Sequence, residues 1–468
     1  MVKLEFFTLR PLALLIIFSS VNLLIYIDRG ALSSVLSRLM KSSNGGMDLT
    51  SLESGALGSL FILGYIIAAP PVFFTGLSQN FIMLASIGSL IWIVSVLFTG
   101  LSQNFIMLAI ARSLTGIGEA SFVCLAPPAI LDTAPVQYKA SWLGIYYSTT
   151  IFGYAIGFVF GDQVSAAFNR WSYPFLFEGI IMLPFVILTL LCNKDPKLYA
   201  KKPDGEHEKI TTQICLLLKN YLFVSLCLGY AAYQFTVGGA GYWGPDFVES
   251  YYDVSAGTSS TFVGIITVLS GLIGTAIGSI SVMRSTKKYE LYCERGQLSK
   301  ENLEFIIVEK CCFLLPVSIS FALAIGILSL LASSWVSSPG NVITFLVLFG
   351  VSELFLFIIT SPISMATMNC VPSHLRGQAN ALTVFFMHIF GDFPSPSIIG
   401  LFFESVGELS GMLFAMCWLI WAVLIWGFCW NVSRFHGKPW SFIKKNLFKK
   451  RPQNIHNETE IGAPMLEE

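Results

Sequence analysis

The stretch VNLLIYIDRGALSSVL, residues 21–36, places an aspartate and an arginine inside an apolar segment that begins near Pro11. A membrane-spanning helix needs roughly 20 mostly apolar residues, and this segment is long enough. No small-residue cleavage site follows it, so it predicts a first transmembrane helix rather than a removable signal peptide. A charge at mid-membrane costs at least about 2.5–3.5 kcal/mol on insertion scales, so Asp28 and Arg29 each require a partner or a function.

The whole chain shares this apolar character. Of its 468 residues, 54% are hydrophobic and 12% are charged, and the mean hydropathy is +0.70. Ordinary soluble domains carry roughly 25% charged residues, so the composition predicts a multi-pass membrane protein. The formal net charge of zero argues against nucleic acid as a partner, because nucleic acid is held by basic surfaces.

Twelve apolar segments are long enough to span, which predicts an all-α membrane protein of twelve transmembrane helices. Their approximate bounds are 11–38, 52–73, 80–99, 104–131, 139–165, 171–192, 214–240, 258–283, 308–332, 340–366, 376–402 and 409–431. An even number of spans places both termini on one side of the membrane. Lysine and arginine are concentrated in 193–213, 284–300 and the tail, all on that side, so both termini are predicted to be cytoplasmic.

The polar segment 193–213 divides the spans into two groups of six. The predicted organisation is a cytoplasmic N-terminus (1–10), an N-terminal half (11–192), a cytoplasmic central loop (193–213), a C-terminal half (214–431) and a basic cytoplasmic tail (432–468). Two six-span halves are the layout of major facilitator transporters, in which the substrate binds near the midplane.

The fourth span carries two more charges, in AIARSLTGIGEAS. Arg112 and Glu119 are seven residues apart and therefore share one face of a helix. Because the first span runs outward and the fourth inward, Asp28 and Arg112 are predicted to lie at similar depth and to pair. Two interpretations remain open. The pair is either a structural ion pair or part of a proton-coupling site. In a coupling site, an anionic substrate binds the arginine in place of the carboxylate, and the released carboxylate then binds a proton. Arg29 is predicted to point elsewhere and reach toward the membrane interface.

The second half has its own buried polar residues. Glu353 lies in the tenth span, and His388 and Asp392 are four residues apart in HIFGDFPSPSIIG of the eleventh. A His–Asp pair on one helix face can relay protons, and it can equally be a helix–helix hydrogen bond. The two prolines that follow are predicted to kink or break the helix. Asp246 is expected at the solvated outer end of the seventh span.

The fifth span has glycines at four-residue spacing, Gly153, Gly157 and Gly161. Such spacing lets two helices approach closely. The stripe is interpreted either as close packing or as a sliding surface between two halves that rock against each other.

Sequence motifs of enzymes and metal sites are missing. None of the ten cysteines has the spacing of a metal site or a disulfide framework. No GxSxG, HExxH or P-loop pattern occurs. A transporter with no cofactor and no metal is therefore predicted. The buried charges described above predict the proton as its coupling ion.

Four segments together resemble the spinster family of major facilitator lipid transporters, over roughly residues 15–430. They are NLLIYIDRGALSSVL, IARSLTGIGEAS, GGAGYWGPDFV and HIFGDFPSPSIIG. The resemblance implies transport of lysolipids, either lysophospholipids out of lysosomes or late endosomes or sphingosine-1-phosphate across the plasma membrane, with membrane lipids as surroundings. It also implies proton linkage through Asp28, Arg112 and Glu119. A carrier of a small organic anion, and a non-transporting receptor or scaffold, remain as alternatives.

The segment FTGLSQNFIMLA occurs twice, at Phe74–Ala85 and at Phe98–Ala109. The first copy stands where the superfamily carries a charged cytoplasmic gating loop, and it contains no charge. Two interpretations are open: an error in the gene model, or a real duplication that weakens the cytoplasmic gate.

Overall fold

The computed structural model describes most of the chain, and everything below concerns these residues: 11–42, 45–76, 81–134, 139–191, 210–335, 340–372 and 375–435. Regular structure in these ranges is helical. The N-terminal half consists of α1 (Pro11–Leu39), α2 (Ser51–Gly76), α3 (Phe81–Gly100), α4 (Phe105–Val123), α5 (Ala126–Thr133), α6 (Lys139–Ala167) and α7 (Tyr173–Leu191).

A short helix, α8 (Ile210–Leu218), precedes the C-terminal half. That half consists of α9 (Tyr221–Tyr252), α10 (Ala256–Glu294), α11 (Lys300–Trp335), α12 (Gly340–Ile358), α13 (Thr360–Asn369), α14 (Arg376–Met387), a π-helical turn (His388–Asp392), α15 (Pro394–Ser405), α16 (Glu408–Cys417) and α17 (Leu419–Phe435).

Ten helical segments within the described ranges are long and apolar enough to cross a membrane. Two shorter apolar helices, Ala85–Gly100 and Tyr173–Thr189, lie where the third and sixth spans are predicted. The chain is a multi-pass membrane protein, as the sequence predicts. We call the end of the bundle where α1 begins and α17 ends the terminal end, and the opposite end the distal end.

Local sequence explains several helix starts. Thr50 and Glu53 form the capping box predicted at α2, since each backbone N–H donates to the other's side chain, at 3.0 and 3.1 Å. Asn104 caps α4 by accepting from the N–H of Met107 at 2.9 Å. Asn220 caps α9 through Phe223 N–H at 3.2 Å.

Where the structure describes the duplicated segment, the two copies have helix boundaries at matching positions. A helix ends at Gly76 in the first copy and at Gly100 in the second, and the next helix begins at Phe81 and at Phe105. The two copies therefore flank α3, the first at its terminal end and the second at its distal end. The uncharged connection 77–80, on which the two interpretations of the duplication depend, lies outside the described residues.

The boundaries near the central loop differ from the prediction. Helix begins already at Ile210, inside the predicted loop 193–213, and the seventh span is α9, residues 221–252 rather than 214–240. The reason is Asn220. Its side chain caps the start of α9 and also donates to the Cys370 carbonyl at 2.9 Å. The cap ends α8 and makes α9 a separate helix. Because α9 continues to Tyr252, Asp246 is buried, with 4% of its surface exposed, and the expectation of a solvated Asp246 is wrong. At the other boundary α17 extends to Phe435, into the predicted tail 432–468.

The two halves are joined by hydrogen bonds at the distal end. Ser59 and Ser397 hydroxyls lie 2.7 Å apart, and the Tyr242 hydroxyl donates to the Ser54 carbonyl at 2.5 Å. Ser37 donates to Glu249 at 2.8 Å. The distal end is therefore closed in this conformation.

The glycine stripe of α6 packs against α1. A Cβ on Gly157 would collide with the carbonyl oxygen of Ile27 and lie 2.9 Å from the Ala31 nitrogen. Gly153 and Gly161 face the same helix. Close packing is thus confirmed, whereas a sliding surface between the halves is wrong for these glycines, because both helices belong to the N-terminal half.

Three glycines of α10 do lie between the halves. Gly257, Gly264 and Gly271 face the α6 residues Asp162, Ala155 and Ile151, where a Cβ would lie 3.0 Å from the nearest atom. Their seven-residue spacing, which keeps them on one helix face, is the sequence signal that could have identified this surface.

Candidate functional site

The first ion pair joins α1 to α4. The Arg112 guanidinium donates through Nη1 and Nη2 to the two carboxylate oxygens of Asp28, each at 2.8 Å. The side chains are 1% and 0% exposed. The pairing that the sequence predicts between Asp28 and Arg112 is confirmed. The salt bridge is bidentate, and bidentate arginine–carboxylate pairs are stronger than single hydrogen bonds.

A second ion pair lies beside the first. The Arg29 guanidinium forms a salt bridge with Glu119, with Nη2 on one carboxylate oxygen and Nε 3.4 Å from the other. Side chains on a helix lean toward its N-terminus, so Arg29 reaches toward the terminal end, where Glu119 lies two turns beyond Arg112. The prediction that Arg29 reaches toward the membrane interface is therefore wrong.

The two guanidinium groups differ in exposure. Arg29 is 13% exposed, whereas Arg112 is 1% exposed. The ring of Phe61 lies against both, with its centroid 4.8 Å from Arg29 Cζ and 5.3 Å from Arg112 Cζ. Tyr26 covers Arg29 from α1 at 4.9 Å. These cation–π contacts hold both arginines in place and leave Arg29 as the more accessible cation.

Sequence reasoning missed a fifth ionisable residue at this site. Glu178, on α7, is 1% exposed and interacts electrostatically with Asp28 and Arg112. The signal was present in SYPFLFEGIIMLPF, where a glutamate stands inside an apolar span. Asp28, Arg29, Arg112, Glu119 and Glu178 are called the N-half charge cluster below.

The His–Asp pair of the C-terminal half is also present. His388 Nδ1 and Asp392 Oδ2 are 2.7 Å apart, and Gln234 on α9 donates to the other Asp392 oxygen at 2.8 Å. The two residues bound the π-helical turn, and α15 begins at Pro394 directly after it. Where a kink or break is predicted, the span from Arg376 to Ser405 changes to a π-helical turn just before Pro394, since proline cannot supply the N–H that a regular helix needs.

The N-half charge cluster faces the His–Asp pair across the interface between the halves. The Tyr65 ring of α2 lies 4.7 Å from the His388 ring, and Glu119 interacts electrostatically with His388. Glu353 lies elsewhere, on α12, where its carboxylate accepts from Thr267 on α10 at 3.3 Å. Of the secondary candidates, the structure therefore brings two of three to the central site.

The site has the parts of an ion-binding surface rather than of a metal centre. Among the described residues, no three His, Cys, Asp or Glu side chains are grouped as metal ligands. Two arginines, three acids and a His–Asp pair can bind an anion and exchange protons.

Comparison with known proteins places these residues in a family. The model described as Major Facilitator Superfamily matches residues 18–396. A probable sphingolipid transporter of Arabidopsis thaliana, spinster homolog 2, is 31% identical over 98% of this chain and 93% of its own length. A sphingosine-1-phosphate transporter of Danio rerio is 26% identical over 85% and 77%. Among solved structures, the inward-facing, occupied bacterial homolog of the human lysosomal transporter spinster has a TM-score of 0.69 at 16% identity, over 90% of this chain and 97% of that one.

Proposed function

The chain belongs to the spinster family of the major facilitator superfamily, and from that premise we propose that it moves an anionic or zwitterionic lysolipid across its membrane by proton-coupled alternating access. It is a transporter and not an enzyme.

The observation that carries the proposal is the Arg29–Glu119 pair. Arg29 is the more accessible cation of the N-half charge cluster and lies at the interface between the halves. A planar guanidinium recognises phosphate oxygens with two parallel hydrogen bonds, as it does carboxylate oxygens. The sequence favoured Arg112 for the headgroup, but that side chain is buried and both of its Nη groups bind Asp28. We assign the headgroup to Arg29.

An apolar surface beside Arg29 favours an amphiphile over a small anion. Phe61, which contacts the Arg29 guanidinium, forms a separate apolar cluster with Ile62 and Ile66 of α2. Phe385, Ile389 and Phe393 from the other half pack against this cluster. An alkyl chain attached to a phosphate held by Arg29 would lie along these side chains.

Proton coupling follows from the same pair. When a phosphate binds the Arg29 guanidinium in place of Glu119, the Glu119 carboxylate is left buried without a countercharge. A buried carboxylate in that state binds a proton. Substrate and proton occupancy are then linked, and the linkage is reciprocal.

The concentration of lysine and arginine in the terminal segments supports cytoplasmic termini. With that orientation, the closed distal end is the outer end, which excludes an outward-facing conformation. The likeness to a homolog of a lysosomal transporter supports a lysosomal or late endosomal membrane, with the plasma membrane as the alternative.

Ligand-dependent unfolding of the purified protein in detergent tests the substrate class. Sphingosine-1-phosphate or lysophosphatidylcholine is expected to stabilise it by about 2.7 kcal/mol at 100 times the dissociation constant. Sphingosine, which lacks the phosphate, and phosphoethanolamine, which lacks the chain, are the matched controls and should stabilise it much less. Equal stabilisation by phosphoethanolamine would instead support the carrier of a small organic anion. Stabilisation by none of the four compounds would contradict the proposal.

A further inference from the structure

Glu178 is a buried acid that the mechanism above leaves without a role. It is the one charged residue of α7, whose sequence is YPFLFEGIIMLPFVILTLL. It is 1% exposed, and neither carboxyl oxygen accepts a hydrogen bond from a donor group among the described residues. The hydrogen-bonding group beside it is the carboxyl of Asp28, which is itself an acid. A polar group buried in this way costs free energy unless it is paired, and a bare carboxylate costs most.

The groups that face Glu178 come from neighbouring helices. Asp28 of α1 and Arg112 of α4 interact with its carboxyl group electrostatically. Helix α3, which packs along α7, carries no ionisable residue between Phe81 and Gly100. The acid of α6, Asp162, is already paired with Arg38 at 2.7 Å. Arg112 is therefore the cation nearest to Glu178, and both of its Nη groups are used by Asp28.

The charges of the N-half charge cluster do not balance. Two arginines face three acids, so the fully ionised cluster would hold one uncompensated negative charge in an apolar interior. Such a charge is strongly unfavourable, and binding one proton removes it. Asp28 and Glu119 each have an arginine at hydrogen-bond distance, whereas Glu178 has none. The surplus acid is therefore Glu178.

We propose that Glu178 stores the coupling proton in the substrate-free protein and passes it through Asp28 to Glu119 when a substrate occupies Arg29. The inference rests on the proton coupling proposed above and assigns the proton's resting place. Asp28 is the connecting acid because of its position between the other two. It binds Arg112, and it directly precedes Arg29, whose guanidinium binds Glu119.

Each step of the transfer moves one proton and no other group. The protonated Glu178 carboxyl donates to the Asp28 carboxylate. Asp28 then passes a proton to the Glu119 carboxylate that the substrate has released from Arg29. The ionised Glu178 accepts from the Nε–H of Arg112, which has no hydrogen-bond partner among the described residues in the present state. Arg112 then bridges two carboxylates. The proposal thus accounts for three polar atoms that lack a partner among the described residues, the two Glu178 carboxyl oxygens and Arg112 Nε.

The test compares Glu178→Gln, an uncharged side chain of the same shape, with Glu53→Gln as the matched control. Glutamine retains the capping interaction of Glu53, so the control variant should behave as the wild type does. The first readout is infrared absorption of the detergent-solubilised protein, in the carbonyl band of a protonated carboxylic acid. The second is lipid flux in proteoliposomes, measured as accumulation driven by a pH gradient and as lipid exchange without one.

We expect Glu178→Gln to lose the part of the carbonyl band that Glu178 contributes, together with the gradient-driven accumulation, while lipid exchange continues. The readout is the difference between the wild-type and variant spectra, because Asp246 is a second buried acid whose carboxyl group absorbs in the same band. A carbonyl band of the same intensity in the wild type and in this variant overturns the proposal, and so does a weakened band with gradient-driven accumulation intact. If the wild type itself accumulates no lipid in response to the gradient, the proposed coupling fails, and with it the role of Glu178 as the store. The wild-type experiment thus separates failure of the function from failure of this residue assignment.

Discussion

Replacing Arg112 by alanine is expected to destabilise the protein by about 3–5 kcal/mol, because it leaves the buried Asp28 carboxylate without its countercharge. Asp28 loses both of its hydrogen bonds from the Arg112 Nη groups, each now at 2.8 Å, and Glu178 loses its nearest cation. Some of this penalty is relieved when Asp28 takes up a proton. The change is measured as the loss of unfolding free energy in detergent micelles, with circular dichroism as the probe.

The matched control for Arg112→Ala is an exposed pair, Lys41–Glu249. The two charged atoms are 3.5 Å apart and Lys41 is 64% exposed. Exposed pairs contribute about 0–1 kcal/mol, so Lys41→Ala should change stability little. The double variant Asp28→Asn/Arg112→Ala should recover part of the lost stability, because it also removes the buried Asp28 charge that Arg112→Ala leaves without a partner. Equal losses for Arg112→Ala and Lys41→Ala would contradict the account of the buried pair.

Replacing Arg29 by alanine is expected to weaken binding of a phosphate-bearing lysolipid. A hydrogen bond to a charged group contributes about 1.5–3 kcal/mol, which corresponds to roughly 10- to 150-fold in affinity. The variant should also lose the linkage between lipid and proton, since Glu119 then has no cation for the substrate to displace. Arg29→Lys retains the charge without the planar pair of donors and should give an intermediate affinity.

Arg38→Ala is the control for Arg29→Ala. Arg38 lies on the same helix, is 23% exposed and pairs with Asp162 at 2.7 Å, away from the interface cluster around Phe61. Its removal should leave lipid affinity unchanged. The readout is the dissociation constant of sphingosine-1-phosphate from equilibrium dialysis. If Arg29→Ala bound the lipid as the wild type does, the headgroup assignment would be wrong.

The sequence was sufficient for the span count and for one ion pair. Span number depends on the length and apolar character of each segment, and both are read directly from residues. The pairing of Asp28 with Arg112 followed from matched depth in two antiparallel helices, and the structure contains it. These inferences need only the helical rise and the direction of each span.

Three features could not be predicted from the sequence, because they depend on how the helices face each other. The partner of Arg29 was set by the direction in which its side chain leans from α1. Whether the α6 glycines meet α1 or the other half required the rotation of α6 about its axis, which spacing alone does not supply. Glu178 stands early in its span, where an acid is usually near the membrane surface, and its burial results from packing by α1 and α3.

The central claim is that this chain couples movement of a lysolipid to a proton gradient. The measurement that tests it most directly is flux in proteoliposomes of labelled sphingosine-1-phosphate, lysophosphatidylcholine and lysophosphatidylethanolamine, with and without an imposed pH gradient, using Glu119→Gln as the uncoupled control. We expect at least one lipid to accumulate only with the gradient, and this accumulation to vanish in Glu119→Gln. Folded, correctly inserted protein that moves none of the three lipids, or moves them equally with and without the gradient, would contradict the account.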